Sequence, residues 1–393
     1  MKRQILQFPE PDADALQHSQ LLTDAIVEEI NQQGGQITFE RYMALALSKP
    51  GLGYYVSGNQ KFGASGDFVT APEISSLFSR CVAQQCMEII SNLPTTSAAS
   101  ILEFGAGTGV MAADILLEME QLDALPRHYY ILEVSAELKQ RQQQTLTNKV
   151  PHLLGLVEWL DELPADGFNG VILANEVLDA MPVHRFYKDA ERTGEYFVGW
   201  VNNEFVWKKG QFSFDVLREK VVELEQLIPE GYSSEINLAA SAWVSSIAKM
   251  LQSGVALIID YGFPRHEYYH PDRVQGTLMC HYRHRAHEDP FLYPGLQDIT
   301  AHVDFTAVAE DAYKAGMEIK GYTNQAFFLL GNGVEKYLEN KDSSSTEFMK
   351  LSQQLKTLTM PGEMGELFKV IALGKEYNEP LKGFSFKDNR SKL

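Results

Sequence analysis

The feature that most constrains the fold is a glycine-rich segment at residues 103–109, which reads EFGAGTG. It follows an apolar run and opens a helical pattern. Glycine lets the backbone turn sharply and approach a ligand without a Cβ in the way. The G-x-G-x-G spacing differs from the G-x-G-x-x-G of dinucleotide-binding folds. We therefore predict a strand–loop–helix unit that binds a ligand at Gly105, Gly107 and Gly109.

Strand and helix patterns alternate from Ser100 onward. The predicted strands lie at 100–104, 129–134, 156–160, 171–174 and 255–260, and the first two intervening helices at 110–120 and 137–146. This β-α-β-α rhythm predicts an α/β fold, a Rossmann-like parallel sheet with helices on both faces.

Other parts of the chain break this rhythm. Helices are expected at 12–33 and after Thr38, whereas aromatic, strand-like runs surround a turn at Asn202 and Asn203. The last ~50 residues read as polar and partly helical. We therefore expect an N-terminal helical cap that contributes to the ligand pocket at 1–95, the α/β domain at 96–335, and a C-terminal extension at 336–393. The α/β domain would carry an inserted substrate-side subdomain at about 184–240.

Composition and charge limit the classes of partner that we expect this chain to bind. The formal net charge of -18 argues against a nucleic-acid partner, because acidic surfaces repel phosphates, and it suits a cationic substrate. The three cysteines form no CxxC pair. No apolar run approaches the ~20 residues that a membrane span needs. Because the first residues also lack a long apolar signal region, we expect a cytoplasmic protein.

Acidic side chains stand where predicted strands end. Glu103 precedes the glycine loop, as is typical of methyltransferases, where this acid faces the methionine end of the cofactor. Glu133 ends the second strand and could accept both ribose hydroxyls of a nucleoside. A nicotinamide enzyme would use the same contact, and a helix N-terminus alone also favours an acid there. Trp159 and Leu160, after the third strand, are candidates to contact adenine, although a buried tryptophan is equally compatible.

The segment after the fourth strand carries the candidate acceptor site. In methyltransferases the end of this strand faces the transferable methyl group. Asn175 and Glu176 are therefore candidates to position the substrate, with Asn175 also near the cofactor, because positioning supplies much of the acceleration of a displacement reaction. Asp179 is a substrate candidate, although Asn175 or Asp179 could instead cap a helix.

Further candidates lie elsewhere in the chain. Gly66, Asp67, Phe68 and Thr70 are cofactor candidates, because they lead into a helix whose N-terminal amides favour an anionic group and could close over the methionine carboxylate of the cofactor. A loop that only packs the first helices on the sheet is the alternative. Thr70 has capping-box spacing to Glu73. Glu73 is also a catalytic candidate. Three further residues are substrate candidates: Glu235, His302 and Asp304. The three-residue spacing of the histidines at 281, 284 and 287 is compatible with a metal site. However, the region reads as an irregular loop, and we predict no metal.

The motifs together resemble those of the MidA family of methyltransferases. The matching blocks are Gly53-Tyr54-Tyr55, 62–63 with 66–68, 70–75, the 103–109 loop, 132–135, 175–176 with 178–183, 260–262 and 298–305. They run in family order over most of the chain. In the loop, many relatives carry Pro-Gly-Arg or Pro-Gly-Lys where this chain has Ala106-Gly107-Thr108, but the glycines remain.

The resemblance implies S-adenosylmethionine as cofactor and, by analogy with a eukaryotic branch of the family, N-methylation of a protein arginine. By the same analogy the protein substrate would be a subunit of a respiratory complex, and a homodimer is compatible with it. Three alternatives stay open: a small-molecule methyltransferase, an assembly factor that binds the cofactor without catalysis, and a nicotinamide dehydrogenase, which the glycine spacing disfavours.

Overall fold

The computed structural model describes residues 8–57, 70–94, 99–165, 167–339 and 341–393. They form two compact units. The core unit comprises Thr70–Asp179, Ala240–Glu267 and His302–Leu393, and the second unit comprises 8–57, Ala180–Ala239 and Tyr268–Ala301. The boundaries expected at 95 and 335 are not where these units divide the chain.

The helices and strands follow in chain order. The helices are α1 (Ala13–Gln32), α2 (Phe39–Ser48), α3 (Ala71–Ile74), α4 (Ser76–Ser91), α5 (Val110–Gln121), α6 (Ala136–Lys149), α7 (Asp215–Leu224), α8 (Leu238–Met250), α9 (Arg265–Tyr268), α10 (Phe305–Lys314), α11 (Gln325–Gly331), α12 (Thr346–Thr359) and α13 (Met364–Leu367). The strands are β1 (Ile37–Thr38), β2 (Ser100–Phe104), β3 (Tyr129–Leu132), β4 (Val157–Leu160), β5 (Phe168–Asn175), β6 (His184–Lys188), β7 (Thr193–Val201), β8 (Glu204–Gly210), β9 (Tyr232–Ile236), β10 (Leu251–Phe263), β11 (Met279–Tyr282), β12 (Arg285–His287), β13 (Asp298–Thr300), β14 (Val303–Asp304), β15 (Glu318–Asn324) and β16 (Phe368–Lys375).

The core unit is built on one sheet of order β15-β16-β10-β5-β2-β3-β4. The strands from β10 through β4 are parallel to one another, which confirms the predicted Rossmann-like fold. From β2 the chain moves outward through β3 and β4, then returns to β5 on the other side of β2. The strand order therefore reverses between β2 and β5, and ligands of such sheets bind beyond the carboxyl ends of the strands at this position.

Helices cover this sheet and explain why its central strands are apolar along their length. Phe78 and Cys81 of α4 and Ile115 of α5 belong to one buried cluster with Val171 of β5 and Leu257 of β10. Strands buried on both faces lose the alternation of polar and apolar residues. Each large apolar side chain removed from water contributes about 1.5–3 kcal/mol, so this cluster holds the carboxyl ends of β2 and β5 in place.

The C-terminal region contains the strand β16, which we did not predict. It pairs antiparallel with β10 on one side and with β15 on the other. Its residues Val370–Leu373 are fully buried. The C-terminal residues are therefore part of the central sheet, and the interpretation of this region as polar and partly helical holds only for the segment around α12.

The second unit contains a sheet of order β1-β7-β6-β9, to which β8 adds beside β7, and a three-stranded sheet of order β12-β11-β13. Asn202 and Asn203 join β7 to β8 with φ of 52° and 64°, which confirms the predicted hairpin turn. The helix predicted after Thr38 begins at a cap, since the Thr38 side chain accepts from the N–H of Arg41; Asp12 caps α1 in the same way by accepting from Ala15. The histidine region forms the β11–β12 hairpin, so the prediction of an irregular loop was wrong.

Candidate active site

The glycine loop after β2 adopts backbone conformations that only glycine takes readily. Gly105, Gly107 and Gly109 have φ of 60°, 52° and 81°. A Cβ on Gly107 would meet nothing within 4 Å, so the loop leaves open space there. A Cβ on Gly105 would lie 3.4 Å from Cγ2 of Val177, and one on Gly109 would lie 3.0 Å from Cα of Gln142. The loop therefore packs against both the segment after β5 and helix α6.

Glu103 lies inside the core unit rather than at its surface. Its side chain is 1% exposed, and Oε2 accepts a 2.7 Å hydrogen bond from the Tyr129 hydroxyl. Burial raises the pKa of Glu103 to about 7; the charge of Glu133 adds to this shift, and the Tyr129 hydrogen bond opposes it. A carboxyl group with such a pKa exchanges its proton near neutral pH.

Glu133 lies at the carboxyl end of β3, where the sequence predicts a ribose acceptor. Oε1 accepts from the backbone N–H of Ser135 at 2.8 Å, and Oε2 accepts from the Gln142 amide at 2.9 Å. The carboxylate is therefore held both by the turn that follows β3 and by helix α6. The next residue, Val134, is 81% exposed, an unusual position for a large apolar side chain. Sequence reasoning did not single out Val134.

Gln142 of α6 is a second residue that the sequence analysis missed. It is fully buried and contacts three of the predicted cofactor-site elements. Its Nε2 donates to the Gly107 carbonyl at 3.1 Å and to Glu133, and its Oε1 accepts from the Trp159 indole at 3.0 Å. The available signal was a polar residue on the buried stripe of α6, four residues after Leu138 and four before Leu146.

The segment after β5 holds Glu176 in a strained conformation. Glu176 has a φ of 53°, which non-glycine residues seldom adopt, and its N–H donates to the Ile259 carbonyl at 2.9 Å. Nδ2 of Asn175 donates to Oε1 of Glu176 at 3.2 Å. Oδ1 of Asn175 is buried without a hydrogen-bond partner among the described residues. Such strain persists only where the surroundings over-determine it, and it clusters at functional sites.

The carboxyl end of β10 supplies those surroundings. The fully buried Asp260 accepts from the backbone N–H groups of Leu178 and Asp179 at 3.0 and 3.2 Å. The Tyr261 hydroxyl donates to Asp179. Burial raises the pKa of Asp260 well above its usual range, and the charges of Asp179 and Glu176 add to this effect. The sequence marks Asp260 and Tyr261 only as part of a family motif; the available signal for Asp260 was an acid at the end of an apolar run.

Helix α3 brings Glu73 to the glycine loop. The Thr108 hydroxyl donates to Oε1 of Glu73. The predicted capping box does not form, because the Thr70 side chain makes no cap hydrogen bond, and Ser75 instead caps α4. The remaining residues of this predicted block lie outside the described residues: Gly66, Asp67 and Phe68.

The other candidates of the core unit have well-defined surroundings. Trp159 and Leu160 are half-buried on β4. His302 stacks on Phe263 with ring centroids 5.3 Å apart. Asp304 caps α10 by accepting from the N–H groups of Thr306 and Ala307, and it pairs with Arg265. Because both oxygens of Asp304 are engaged, its geometry indicates a structural role.

Glu235 belongs to the second unit and is 1% exposed. Its Oε2 accepts from the backbone N–H and the hydroxyl of Thr277, and Oε1 lies 3.7 Å from Nε of Arg185. Burial raises the pKa of Glu235, while the Arg185 charge and the hydrogen bonds from Thr277 oppose that shift. These contacts indicate a buried ion pair within this unit.

The described part of the chain has neither a membrane-spanning helix nor a cluster of metal ligands. No helix there is long and apolar enough to cross a membrane. No group of three or more histidine, cysteine, aspartate or glutamate side chains there has the arrangement of a metal site.

The chain matches proteins of known fold and family. A structure of a Burkholderia thailandensis protein bound to S-adenosyl-homocysteine is 43% identical, with a TM-score of 0.93 over 98% of this chain and 100% of that one. The zebrafish "Protein arginine methyltransferase NDUFAF7, mitochondrial" is 30% identical over 86% of this chain and 83% of its own length. The human protein of that name is also 30% identical, over 86% of this chain and 80% of its own.

The family model described as "Putative S-adenosyl-L-methionine-dependent methyltransferase" matches residues 81–323, more than half of the chain. That range contains the glycine loop, Glu133, the Glu176 segment and Asp260. The family match agrees with the Rossmann-like sheet, whose strand order reverses between β2 and β5. The chain therefore belongs to this MidA-like family and is an S-adenosylmethionine-dependent methyltransferase.

Proposed function

We propose that the chain transfers the methyl group of S-adenosylmethionine to a nitrogen of a protein arginine side chain. The observation that carries this proposal is the contact between two loops of the core unit. The glycine loop packs on the segment after β5 at Val177, directly beside the strained Glu176. A carboxylate next to the cofactor loop suits a cationic acceptor. Relatives named protein arginine methyltransferases support that acceptor.

The residues around the glycine loop and at the end of β3 fit S-adenosylmethionine. Open space at Gly107 admits a ligand against the backbone, and Glu133 lies beyond the carboxyl end of β3, where a carboxylate accepts ribose hydroxyls in sheets of this kind. The exposed Val134 offers an apolar surface for the adenine ring, with Trp159 on the neighbouring strand. When bound, S-adenosylmethionine supplies an electrophilic methyl group on a sulfonium. The roles of Gly66, Asp67 and Phe68 at the methionine end remain a proposal based on the family motif.

Glu176 is the residue that we assign to the acceptor. A guanidinium has a pKa above about 12 and remains charged, so the protein must orient it and spread its charge onto the nitrogens that do not react. The carboxylate of Glu176 offers such a partner: it accepts from the Asn175 amide, and the backbone N–H of Glu176 donates to the Ile259 carbonyl. Preorganised groups of this kind cost no reorganisation during the reaction. Glu73, which contacts Thr108, we assign to the cofactor loop rather than to catalysis.

The test is methyl transfer by Glu176→Gln. We expect single-turnover transfer to fall about 100-fold, the effect of removing one preorganised electrostatic partner, while the affinity for S-adenosylmethionine changes little. Label from the cofactor is followed into a cell extract, and hydrolysed protein is analysed for methylarginine. The matched control is Glu379→Gln, which alters an exposed glutamate of the same unit.

Each alternative has its own outcome in this experiment. Label confined to low-mass metabolites would point to a small-molecule methyltransferase. Cofactor binding without any transfer would favour an assembly role. Unchanged transfer by Glu176→Gln would remove Glu176 from the mechanism. A respiratory-complex substrate, homodimerisation and a cytoplasmic location are further parts of the proposal that fractionation and mass measurement would test; the relatives named above are mitochondrial by name.

A further inference from the structure

The geometry points to Gln142 as the positioning residue that assembles the cofactor site by orienting Glu133 and the glycine loop together. This inference rests on the proposed cofactor site. The first observation is that the amide of Gln142 is fully used. Its two N–H groups go to Gly107 and Glu133, and its oxygen receives the Trp159 indole N–H. A fully satisfied buried amide has one defined orientation.

The neighbours fix that orientation without ambiguity. An indole N–H is only a donor, so the amide oxygen must face Trp159. A backbone carbonyl and a carboxylate are only acceptors, so the NH₂ group must face Gly107 and Glu133. A flipped amide would leave buried donors and acceptors unpaired, which is costly. Trp159 therefore fixes the orientation of the Gln142 amide, and that amide in turn orients the Glu133 carboxylate and the Gly107 carbonyl.

The consequence for Glu133 is a fixed carboxylate. Ser135 holds one oxygen and Gln142 the other, so rotation of the carboxylate is restrained. The carboxylate then keeps the same direction whether or not a ligand is bound. Preorganisation of this kind raises affinity because less freedom is lost on binding.

The consequence for the loop concerns the peptide that follows Gly107. Its carbonyl points at Gln142 on α6. Because the peptide is planar and trans, the Thr108 N–H points the opposite way. The close approach of Gly109 to Cα of Gln142 holds α6 and the loop at this distance. Gln142 thus keeps the carbonyl oxygen turned toward α6 while the loop keeps its glycine conformation.

The test is a double-mutant cycle on S-adenosylmethionine affinity, measured by calorimetry on the full chain. Gln142→Met fills the same volume without hydrogen bonds, and we expect it to weaken binding about tenfold, since a buried hydrogen bond to a charged group contributes on that scale. Trp159→Phe keeps an aromatic side chain, although a smaller one, removes the N–H and should weaken binding about threefold by the same reasoning. The control Gln144→Met alters an exposed residue of the same helix and should bind like the wild type.

A purely structural role would not produce the expected coupling. If Gln142 acts through Glu133, Gln142→Met should weaken binding less than about twofold further in a Glu133→Ala chain, because positions in one network are not additive. Full additivity in the cycle, or wild-type affinity of both Gln142→Met and Trp159→Phe, would overturn the inference. Wild-type affinity of Glu133→Ala alone would instead overturn the proposed ribose contact.

Discussion

At the scale of single residues, two carboxylates show how position changes chemistry. Glu103 is enclosed between neighbouring strands, and its pKa rises to about 7. Glu176 lies one residue beyond its strand in a left-handed conformation, held by the carboxyl end of β10. Burial makes the ionised form of Glu103 unfavourable, whereas Glu176 lies on a loop with its backbone conformation fixed. Both are glutamates after apolar runs, so residue type alone does not distinguish their roles.

The pKa of Glu103 predicts a pH dependence of stability. The native chain keeps a proton on Glu103 that the unfolded chain releases above about pH 4.3, so the free energy of unfolding falls as pH rises toward about 7. Glu103→Gln keeps an acceptor for Tyr129 and removes this loss. We expect the difference in free energy of unfolding between the variant and the wild type to be up to about 3 kcal/mol more favourable to the variant at pH 8 than at pH 5.

Urea unfolding of both chains at pH 5 and pH 8 measures this difference. Glu379→Gln, at an exposed position, is the control and should show the same offset at both values. An equal offset for Glu103→Gln at the two pH values would contradict the assignment.

At the scale of elements, the loop between β2 and α5 is the part whose backbone is most specialised. Each of its three glycines has a positive φ: Gly105 and Gly109 allow neighbouring elements to approach, whereas Gly107 borders open space. Helix α6 contacts this loop through Gln142. A loop and a helix from separate parts of the chain thus meet at the proposed cofactor site.

Gly107→Ala tests the conformational requirement without a steric clash. Because a Cβ there meets open space, the expected loss is strain alone, about 1–2 kcal/mol for an L-residue in the left-handed region. We also expect weaker binding of S-adenosylmethionine, since the Cβ enters the proposed ligand space. Gly362→Ala is the matched control: its Cβ also meets nothing within 4 Å, but its φ lies outside the left-handed region.

Urea unfolding and calorimetric titration read the two effects separately. The control should be neutral or slightly stabilising, because alanine reduces the entropy of the unfolded chain. A Gly107→Ala chain with wild-type stability would show that the positive φ is not needed.

At the scale of the whole molecule, the C-terminal residues decide whether the central sheet is complete. β16 fills the position between β10 and β15 and buries residues on both faces. Tyr377, Leu381 and Phe384, which follow it, belong to the same core cluster. The region is therefore structural and not an appendage of the methyltransferase domain.

A chain that ends at Thr359 should consequently fail to fold. The loss of β16 exposes the edges of β10 and β15, which would present unpaired backbone groups and apolar side chains. Circular dichroism and solubility are the measurements, with a chain ending at Asn389 as control because the last residues lie largely at the surface. A cooperative thermal transition of the Thr359 chain near that of the full chain would contradict this role.

The sequence by itself determined the elements whose signals are local. Apolar runs, the glycine spacing and a two-residue turn predicted β2, α5, α6 and the hairpin at Asn202 and Asn203, and acids at strand ends made Glu133 and Glu176 site candidates. These features depend on neighbours within a few residues, where backbone conformation and hydrogen bonding are set.

Only the tertiary structure decided which of these residues act together. Asp260 bonds to Leu178, 82 positions away, and Gln142 reaches Gly107 across 35 positions. β16 becomes a central strand only because β10 and β15 leave a position between them. The physical reason is that burial and hydrogen-bond partners come from packing, so a buried glutamine or a strand near the C-terminus has no local pattern that reveals its partners.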